Sequence, residues 1–328
     1  MTTSVCFIVS QPRAGSTLLQ TMLGGHPDVY APGEAWLMLP IVHAIAGSRR
    51  AVESPYDQCL ADDAVGEFLR ENLHGGWSEF QTELGLAAQR LYESARVRAG
   101  AKVLIDKTPR YYWIIEDLLS LIPDCRIIVL RRNPLAVLSS IMETWTRPTR
   151  VGFLKDYRAD LLEAPARLAA AMSIRDERIR SLRYEDLVED PDSCLRDLQS
   201  FINVDVVDGL QHYGSARRRA YGDPKGVHQH QSAKSDSLEK YLQRAAERAT
   251  TWRLIDDYRR QLGPELLARL GYDDQILRQQ LEGVKPIGTR LAPSLVSQVQ
   301  PRPAEPRRSM IRLRRVMADA VVRQKRAA

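Results

Sequence analysis

The sequence has few cysteines, no long apolar run and no excess of charge over most of its length. Its four cysteines lie far apart, with no CxxC pair. This spacing argues against a disulfide framework or a zinc site and predicts reduced thiols in the cytoplasm. No apolar stretch approaches the roughly 18 residues that a membrane-spanning helix needs. The first apolar stretch has no basic segment before it, so we expect a β-strand there rather than a signal peptide.

Basic side chains exceed acidic ones by 47 to 41, but the excess lies at one end of the chain. Residues 301–328 contain nine basic and two acidic side chains, a net charge of +7, whereas the whole chain carries +6. The rest of the protein is therefore nearly neutral. This argues against nucleic-acid binding, because a folded domain that binds nucleic acid presents a basic surface.

Short β-branched runs alternate with amphipathic helical segments through residues 1–275, a pattern typical of an α/β fold with a parallel sheet. Strands are predicted at residues 5–9, 102–105, 126–130 and 179–183. Helices are predicted to begin near Ser16, near Arg110 and at Pro134, and to cover residues 62–98 with a break at Gly75-Gly76, 158–178, 191–201 and 237–270. We therefore predict one α/β domain over residues 1–280.

The end of the chain differs in composition from this domain. Prolines recur between Lys285 and Pro306 and break any regular element, so residues 281–308 are predicted to be a linker. In residues 309–328, apolar side chains at helical spacing alternate with arginines, which predicts a basic amphipathic tail helix. We expect this tail to dock to an acidic partner or an anionic membrane surface, with a disordered solubilising tail as the alternative.

The first candidate site follows the first predicted strand. After Val9 the chain continues Ser-Gln-Pro-Arg-Ala-Gly-Ser-Thr-Leu-Leu over residues 10–19. A strand that runs through a glycine-containing turn into a helix presents backbone N–H groups and the positive end of the helix dipole to an anion. A nucleotide-binding P-loop carries lysine directly before its Ser or Thr, but Gly15 occupies that position here. The loop predicts a phosphate site without a Mg²⁺–triphosphate, and an ordinary helix start is the alternative.

A second candidate site follows the strand predicted at residues 126–130. Arg131 and Arg132 come at the end of this strand, and Ser139 and Ser140 lie about two helical turns into the helix that follows. An arginine and a hydroxyl placed in this way can hold one phosphate from two sides. Taken alone, the pattern also fits a solvated strand end and a polar helix face.

Together, the two motifs resemble those of the sulfotransferases that use 3′-phosphoadenosine 5′-phosphosulfate (PAPS). In that family a strand–loop–helix with the pattern P-R-[SA]-G-[ST]-T-L binds the 5′-phosphosulfate, and a segment R-[DN]-P-x-x-x-x-x-S binds the 3′-phosphate. The resemblance extends from about Val5 to about Tyr241 and includes a bacterial branch and the tyrosylprotein sulfotransferases. It implies PAPS as the sulfuryl donor, adenosine 3′,5′-bisphosphate (PAP) as the product, and no metal.

The same resemblance implies which residues bind the donor. The residues that match the phosphosulfate loop are Arg13, Ala14, Gly15, Ser16, Thr17 and Leu18. Arg132 and Ser140 match the pair that binds the 3′-phosphate, and Tyr184 matches a tyrosine beside the adenine. The implied fold is a P-loop-like parallel β-sheet flanked by helices, with helical insertions and a C-terminal extension.

Three residues are candidates for catalysis by the same resemblance. Glu34 lies in a Gly-Glu pair shortly after His-Pro-Asp, the place where tyrosylprotein sulfotransferases carry their catalytic base. Lys107 resembles a strand-end lysine beside the transferred group, and Arg13 would help to stabilise the charge that develops there. Cytosolic small-molecule sulfotransferases place a histidine base shortly after this lysine. Thr-Pro-Arg follows it here, which favours Glu34 as the base.

Two other functions and two histidines remain as alternatives. A nucleotide-dependent kinase would need a P-loop lysine and a Mg²⁺-binding aspartate, which the motifs do not supply. A non-catalytic binding protein with the same fold need not retain both Glu34 and Lys107. His228 and His230 have no third metal ligand in sight, and they are the next candidates for the base. No motif specifies the acceptor.

Overall fold

The computed structural model describes residues 4–46, 58–145, 157–212 and 239–287. At its centre, five parallel strands form a sheet in the order β2-β3-β1-β4-β5. The strands are β1 (Val5–Ser10), β2 (Val29–Tyr30), β3 (Val103–Lys107), β4 (Arg126–Arg131) and β5 (Ile179–Arg183). The four predicted strands are confirmed. The sequence does not predict β2, because two residues are too few for a strand pattern to show.

Helices pack against both faces of the sheet. Those in the described residues are α1 (Ser16–Leu23), α2 (Met38–Ala46), α3 (Gln58–Asn72), α4 (Gly76–Arg98), α5 (Ile115–Leu121), α6 (Pro134–Trp145), α7 (Ala164–Met172), α8 (Tyr184–Glu189), α9 (Pro191–Phe201), α10 (Lys240–Glu247), α11 (Ala249–Arg269) and α12 (Asp274–Gly283). A 3₁₀ helix spans Pro109–Trp113, and a π-helical turn spans Ala159–Glu163. The predicted fold class is therefore confirmed: a parallel sheet flanked by helices.

Three helices differ from the sequence prediction. The helix predicted near Arg110 is the 3₁₀ helix, and the one predicted over residues 158–178 begins as the π-helical turn and ends at Met172. The helix predicted over residues 237–270 is broken twice, because Arg248 between α10 and α11 is extended and Gly263, directly before Pro264, has non-helical backbone angles within α11. The break at Arg248 does not show in the sequence, because one extended residue hardly alters the spacing of the apolar side chains. The break at Gly263 coincides with a Gly-Pro pair, which is typical of a helix end.

The central strands are buried on both faces, as expected for a parallel sheet covered by helices. Phe7 and Val9 of β1 pack into the larger core, with residues of α4, α6 and α11. Cys6 and Ile8 point the other way, into a second core with residues of α1, α8 and α9. The strand therefore reads as a continuous apolar run, and its end at Ser10 is held firmly between two packed layers.

The candidate sites follow the carboxyl ends of neighbouring strands. In a parallel sheet these ends lie along one edge, where ligands of open α/β folds bind. β1 ends at Ser10, β3 at Lys107, β4 at Arg131 and β5 at Arg183. The two predicted phosphate motifs, the predicted lysine and the predicted tyrosine are therefore brought to a single edge of the sheet.

The folded body continues to the end of α12. Leu281 is 1% exposed, and its carbonyl oxygen accepts a hydrogen bond of 2.7 Å from Trp252 Nε1. The core thus extends slightly past the boundary predicted at residue 280, whereas residues 288–308 of the predicted linker and the tail helix predicted over 309–328 lie outside the described residues. Among the helices in the described ranges, none is long and apolar enough to span a membrane.

Candidate active site

The loop between β1 and α1 changes direction through two left-handed residues. Arg13 has φ 72° and Gly15 has φ 97°, and the buried Ala14 between them donates its N–H to the carbonyl of Gln11 at 3.2 Å. α1 begins at the next residue, Ser16. The first N–H groups of a helix have no acceptor within the helix, so the loop places such donors at the edge of the sheet where the predicted site residues lie.

Gly15 is in close contact with Tyr184, at the start of α8. A Cβ atom built on Gly15 would lie 2.3 Å from Cδ2 of the tyrosine ring, so a side chain at this position would overlap the ring. The guanidinium of Arg132 lies over the same ring, 4.3 Å from its centroid. The loop, the predicted adenine-binding tyrosine and the predicted phosphate-binding arginine therefore form one packed unit.

The predicted 3′-phosphate pair adjoins this unit. Arg132 Nη1 donates to the carbonyl oxygen of Arg13 at 3.2 Å, and Arg13 Nε donates to Ser140 Oγ, on α6, at 3.3 Å. Ser140 lies two helical turns after Pro134 and is half-buried. Two arginines and a hydroxyl thus converge at the carboxyl ends of β1 and β4, an arrangement suited to charge-assisted binding of a phosphate.

Arg131 lies apart from this cluster, although it precedes Arg132 in the sequence. Its Nη1 is 3.5 Å from the sulfur of Met172, on α7, and the backbone of Gly271 lies alongside its guanidinium. Burial lowers the pKa of Arg131 because desolvation disfavours the charged form. The two adjacent arginines therefore have different environments, and Arg132 is the one in the candidate site.

Glu34 and Lys107 form the second half of the site. Lys107 Nζ lies 2.6 Å from Glu34 Oε1 and 3.3 Å from Thr17 Oγ1, on α1. The lysine side chain is 1% exposed and that of Glu34 is 15% exposed, so the pair is largely shielded from water. The ammonium group therefore bridges the β1–α1 loop region and the carboxylate.

Trp36 also belongs to this site, through a contact with Glu34 that the sequence does not predict. Its indole Nε1 donates to Glu34 Oε2 at 3.0 Å, and its backbone N–H donates to Thr108 Oγ1 at 3.3 Å. The guanidinium of Arg110 lies 5.7 Å from the centroid of its ring. A tryptophan two residues after a glutamate has no distinctive spacing, so the pattern alone does not point to this contact.

The carboxylate of Asp106, directly before Lys107, supports the site from within the core. It is fully buried and accepts hydrogen bonds from the hydroxyls of Tyr92 at 2.6 Å, Tyr111 at 2.9 Å and Thr108 at 2.8 Å. The backbone of Ala35 also bonds to it. Burial raises the pKa of Asp106, an effect that these hydrogen bonds partly offset.

A second buried aspartate, Asp160, connects the loop to the 3₁₀ helix. It accepts two hydrogen bonds from Arg110, at 3.0 and 2.6 Å, and a third of 2.8 Å from the hydroxyl of Tyr112. Its backbone carbonyl accepts from Gln11 Nε2 at 2.9 Å. The π-helical turn that carries Asp160 thus braces the β1–α1 loop, and the sequence gives no sign of it.

The remaining predicted site residues have other surroundings. Ala14 and Ser16 are buried, so their side chains do not line an open surface, and Leu18 is partly buried beside the second core. His228 and His230 lie outside the described residues. Within the ranges that the structure describes, no group of three or more His, Cys, Asp or Glu side chains has an arrangement able to hold a metal ion.

The chain is similar in sequence to known proteins over most of this body. Residues 6–208 match the model of a family described as the sulfotransferase family. Nodulation protein NoeE from Sinorhizobium fredii is 28% identical over 306 residues, which cover 85% of this chain and 68% of that protein. Protein-tyrosine sulfotransferase A from Caenorhabditis elegans is 23% identical over 217 residues, which cover 65% of this chain and 53% of that protein.

A solved structure has a similar fold. The sulfotransferase domain from the curacin biosynthetic pathway superposes with a TM-score of 0.52 at 22% identity, covering 83% of this chain and 98% of that domain. Nearly all of that domain therefore has a counterpart here. At this level of identity, the likeness concerns the fold.

Proposed function

Because the chain belongs to the sulfotransferase family, we propose that it transfers the sulfuryl group of PAPS to a hydroxyl or amine of an acceptor. One observation carries this proposal: Lys107 Nζ lies within 3.3 Å of Thr17 Oγ1, by the phosphate-type loop, and within 2.6 Å of the Glu34 carboxylate. A cation and a candidate base thus lie beside the place where an anionic donor would bind.

The donor-binding half of the proposal rests on the arginine cluster. Arg132 and Ser140 bind the 3′-phosphate, because an arginine and a hydroxyl from two elements can hold one phosphate by charge-assisted hydrogen bonds. Arg13 and the N–H groups at the start of α1 bind the 5′-phosphosulfate. The ring of Tyr184, already packed on Gly15 and under Arg132, lies beside the adenine.

The proposed reaction is an in-line displacement at sulfur. The acceptor oxygen or nitrogen forms a bond to sulfur while the bond from sulfur to the 5′-phosphate oxygen breaks, and PAP leaves. Glu34 takes the proton of the acceptor as the new bond forms. Lys107 and Arg13 stabilise the negative charge that develops on the transferred group and on the departing phosphate.

The first test compares two nucleotides by calorimetry. The protein should bind PAP far more tightly than AMP, because losing charge-assisted contacts to the 3′-phosphate costs about 1.5–3 kcal/mol or more. Arg132→Ala should erase the difference. Arg131→Ala is the matched control and should retain it, since that side chain contacts Met172 instead. Equal affinities for PAP and AMP in the wild-type protein would refute the donor assignment.

Two further measurements separate the alternatives. A thermal shift with PAPS but not with ATP and Mg²⁺ supports a sulfotransferase, and the opposite result supports a kinase. A screen of acceptors with radiolabelled PAPS then tests catalysis. Binding of PAPS without transfer to any acceptor would support a non-catalytic binding protein.

We also propose that the protein works in the reducing environment of the cytoplasm. Cys6, Cys125 and Cys194 are free thiols in the described part of the chain. Burial raises the pKa of Cys125 to about 12 and that of Cys194 to about 11, so both are poor thiolate nucleophiles at neutral pH. Such thiols are typical of a protein that does not rely on disulfides.

A further inference from the structure

Trp36 has a backbone conformation that large side chains rarely adopt. Its φ is 57°, in the left-handed region that is an outlier for a bulky residue other than glycine. Such conformations persist where the surroundings enforce them, and they cluster at functional sites. The contacts that hold Trp36 in this conformation therefore indicate what the conformation serves.

Two backbone contacts anchor the segment of Glu34, Ala35 and Trp36 to the end of β3. The hydroxyl of Thr108 donates to Asp106 Oδ1 at 2.8 Å, so its oxygen is left to accept the backbone N–H of Trp36 at 3.3 Å. The backbone of Ala35 bonds to the same buried carboxylate. Asp106 and Thr108 flank Lys107 in the sequence, so the segment that carries Glu34 is fastened on both sides of the lysine.

With its backbone held in this way, Trp36 directs its indole back to Glu34. The indole N–H contacts Oε2 at 3.0 Å, while Lys107 Nζ contacts Oε1 at 2.6 Å. The carboxylate is thus held by two donors from different elements, one on each oxygen. An ionised carboxylate has about four acceptor positions, so one remains on each oxygen for the proton of an acceptor.

We propose that Trp36 is a positioning residue, which orients the carboxylate of Glu34 through its indole N–H so that an acceptor meets a fixed oxygen lone pair. The inference rests on the proposed function, because it assigns a support to the proposed base. Trp36 acts through Glu34, so its loss should affect the rate of transfer rather than the affinity for the donor. Without the indole N–H, the Glu34 carboxylate rotates about its remaining contact with Lys107.

The test is Trp36→Phe, which keeps an aromatic ring and removes the N–H group. Turnover is measured as PAP release from PAPS with the best acceptor of the radiolabel screen, or with water where the screen yields none. We expect kcat to fall about 10–100-fold, as for a misplaced catalytic group, with KM for PAPS and Kd for PAP within about twofold of wild type. Trp77→Phe, the same change on α4, is the matched control and should alter neither.

A double-mutant cycle separates positioning from other roles. In a Glu34→Gln background, Trp36→Phe should cause no further loss of kcat, because the group that it orients has lost its basicity. An equal loss in both backgrounds, or a loss confined to KM or to PAP affinity, would overturn the proposal. If Glu34→Gln itself keeps full activity, it is the proposed base that is wrong.

Two further experiments test the proposal in other ways: the first uses a variant at a different residue, and the second needs no turnover. Thr108→Val removes the anchor of the Trp36 backbone and should lower kcat in the same direction, again without a change in Kd for PAP. Crystal structures of wild type and Trp36→Phe should show the Glu34 carboxylate rotated in the variant. The proposal would be contradicted if the Glu34 carboxylate kept its orientation in Trp36→Phe. It would also be contradicted if both single variants, Thr108→Val and Trp36→Phe, kept full activity.

Discussion

Lys107 and Glu34 form an ion pair that is almost excluded from water, with side chains 1% and 15% exposed. A charge left without its partner in such a place is costly, and breaking a buried pair typically destabilises the folded state by about 3–5 kcal/mol. Neither residue can therefore be replaced without some loss of stability. Activity of such variants is best compared well below their Tm.

Glu34→Gln keeps the size of the side chain and one acceptor oxygen but removes the basicity. We expect kcat to fall about 10²–10⁴-fold, the usual effect of losing a general base. The Kd for PAP should hardly change, because the residues proposed to bind the nucleotide are Arg132, Ser140 and those of the β1–α1 loop. The matched control is Glu83→Gln, an exposed glutamate on α4, which should retain full activity.

One outcome would revise the assignment of Glu34 as the base. Full activity of Glu34→Gln would make another residue the base, and His228 and His230 would be tested next.

Lys107→Ala should lower kcat as well and weaken PAPS binding, because a cation near the sulfonate contributes to both. A change in PAPS affinity without a change in kcat would limit Lys107 to binding.

At the scale of elements, the β1–α1 loop depends on glycine for two separate reasons. Gly15 has φ 97°, which disfavours any other residue, and the ring of Tyr184 occupies the space where a Cβ atom would lie. Gly100, after α4, also has a positive φ, of 67°, but nothing lies within 4 Å of its missing Cβ. A comparison of alanine substitutions at Gly15 and Gly100 therefore separates the effect of backbone strain from that of steric overlap with Tyr184.

Gly15→Ala should destabilise the protein more than Gly100→Ala does. The strain of a positive φ costs about 1–3 kcal/mol in either variant, but only at Gly15 must the tyrosine ring also move. Because Arg132 lies over that ring, Gly15→Ala should also weaken PAP binding, and Gly100→Ala should not. Urea unfolding and calorimetry measure the two effects. Equal losses of stability with unchanged PAP affinity would show that the close contact has no consequence.

At the scale of the whole molecule, buried tyrosine hydroxyls make the fold sensitive to alkaline pH. The tyrosines of the described residues whose pKa is raised by burial are Tyr92, Tyr111, Tyr112, Tyr241, Tyr258 and Tyr272. For Tyr241 the pKa rises from 10.0 to about 12. The folded state therefore keeps these protons at a pH where the unfolded chain loses them.

The sign of this effect follows from proton linkage. Above about pH 10 the unfolded state binds fewer protons than the folded state, so the free energy of unfolding falls as pH rises, by up to about 1.4 kcal/mol per pH unit for each shifted tyrosine. Urea unfolding between pH 8 and pH 12 should show this fall. Tyr241→Phe should reduce its slope between pH 10 and pH 12. Titration of all tyrosines near pH 10 in a protein with native circular dichroism would contradict the prediction.

The basic tail is proposed to be separable from the folded body. Lys285 still lies over the ring of Trp252, 4.7 Å from its centroid, so truncation after Ile287 preserves the contacts of α12. We expect this truncation to shift Tm by less than about 2 °C and to leave PAP binding unchanged. A large loss of Tm would mean that residues 288–328 pack on the core.

The proposed role of the tail has its own measurement. The full chain should sediment with vesicles that contain phosphatidylserine, more weakly at high salt, and the truncated chain should not. Vesicles of neutral lipid are the control. Equal binding of both chains would mean that the membrane affinity lies in the folded body rather than in the tail. If neither chain binds, the remaining interpretations are a tail that docks to an acidic protein partner and a tail that only solubilises the protein.

The sequence by itself determined the longer sheet elements and the motifs at their ends. β1, β3 and β4 are each visible as a short β-branched run and β5 as a weaker one, because the signal for a strand lies within the strand. The β1–α1 loop and the Arg132–Ser140 spacing are likewise local. The resemblance of these motifs to a known family then supplied Glu34 and Lys107, which the structure brings within 2.6 Å of each other.

Only the tertiary structure decided how these pieces support one another. Trp36 meets Thr108 across 72 residues, and Gln11 meets the backbone of Asp160 across 149. The contact of Gly15 with Tyr184 likewise joins the ends of two strands that are not neighbours in the sheet. Such contacts leave no periodicity in the sequence, because each depends on where packing of the whole sheet places two distant segments.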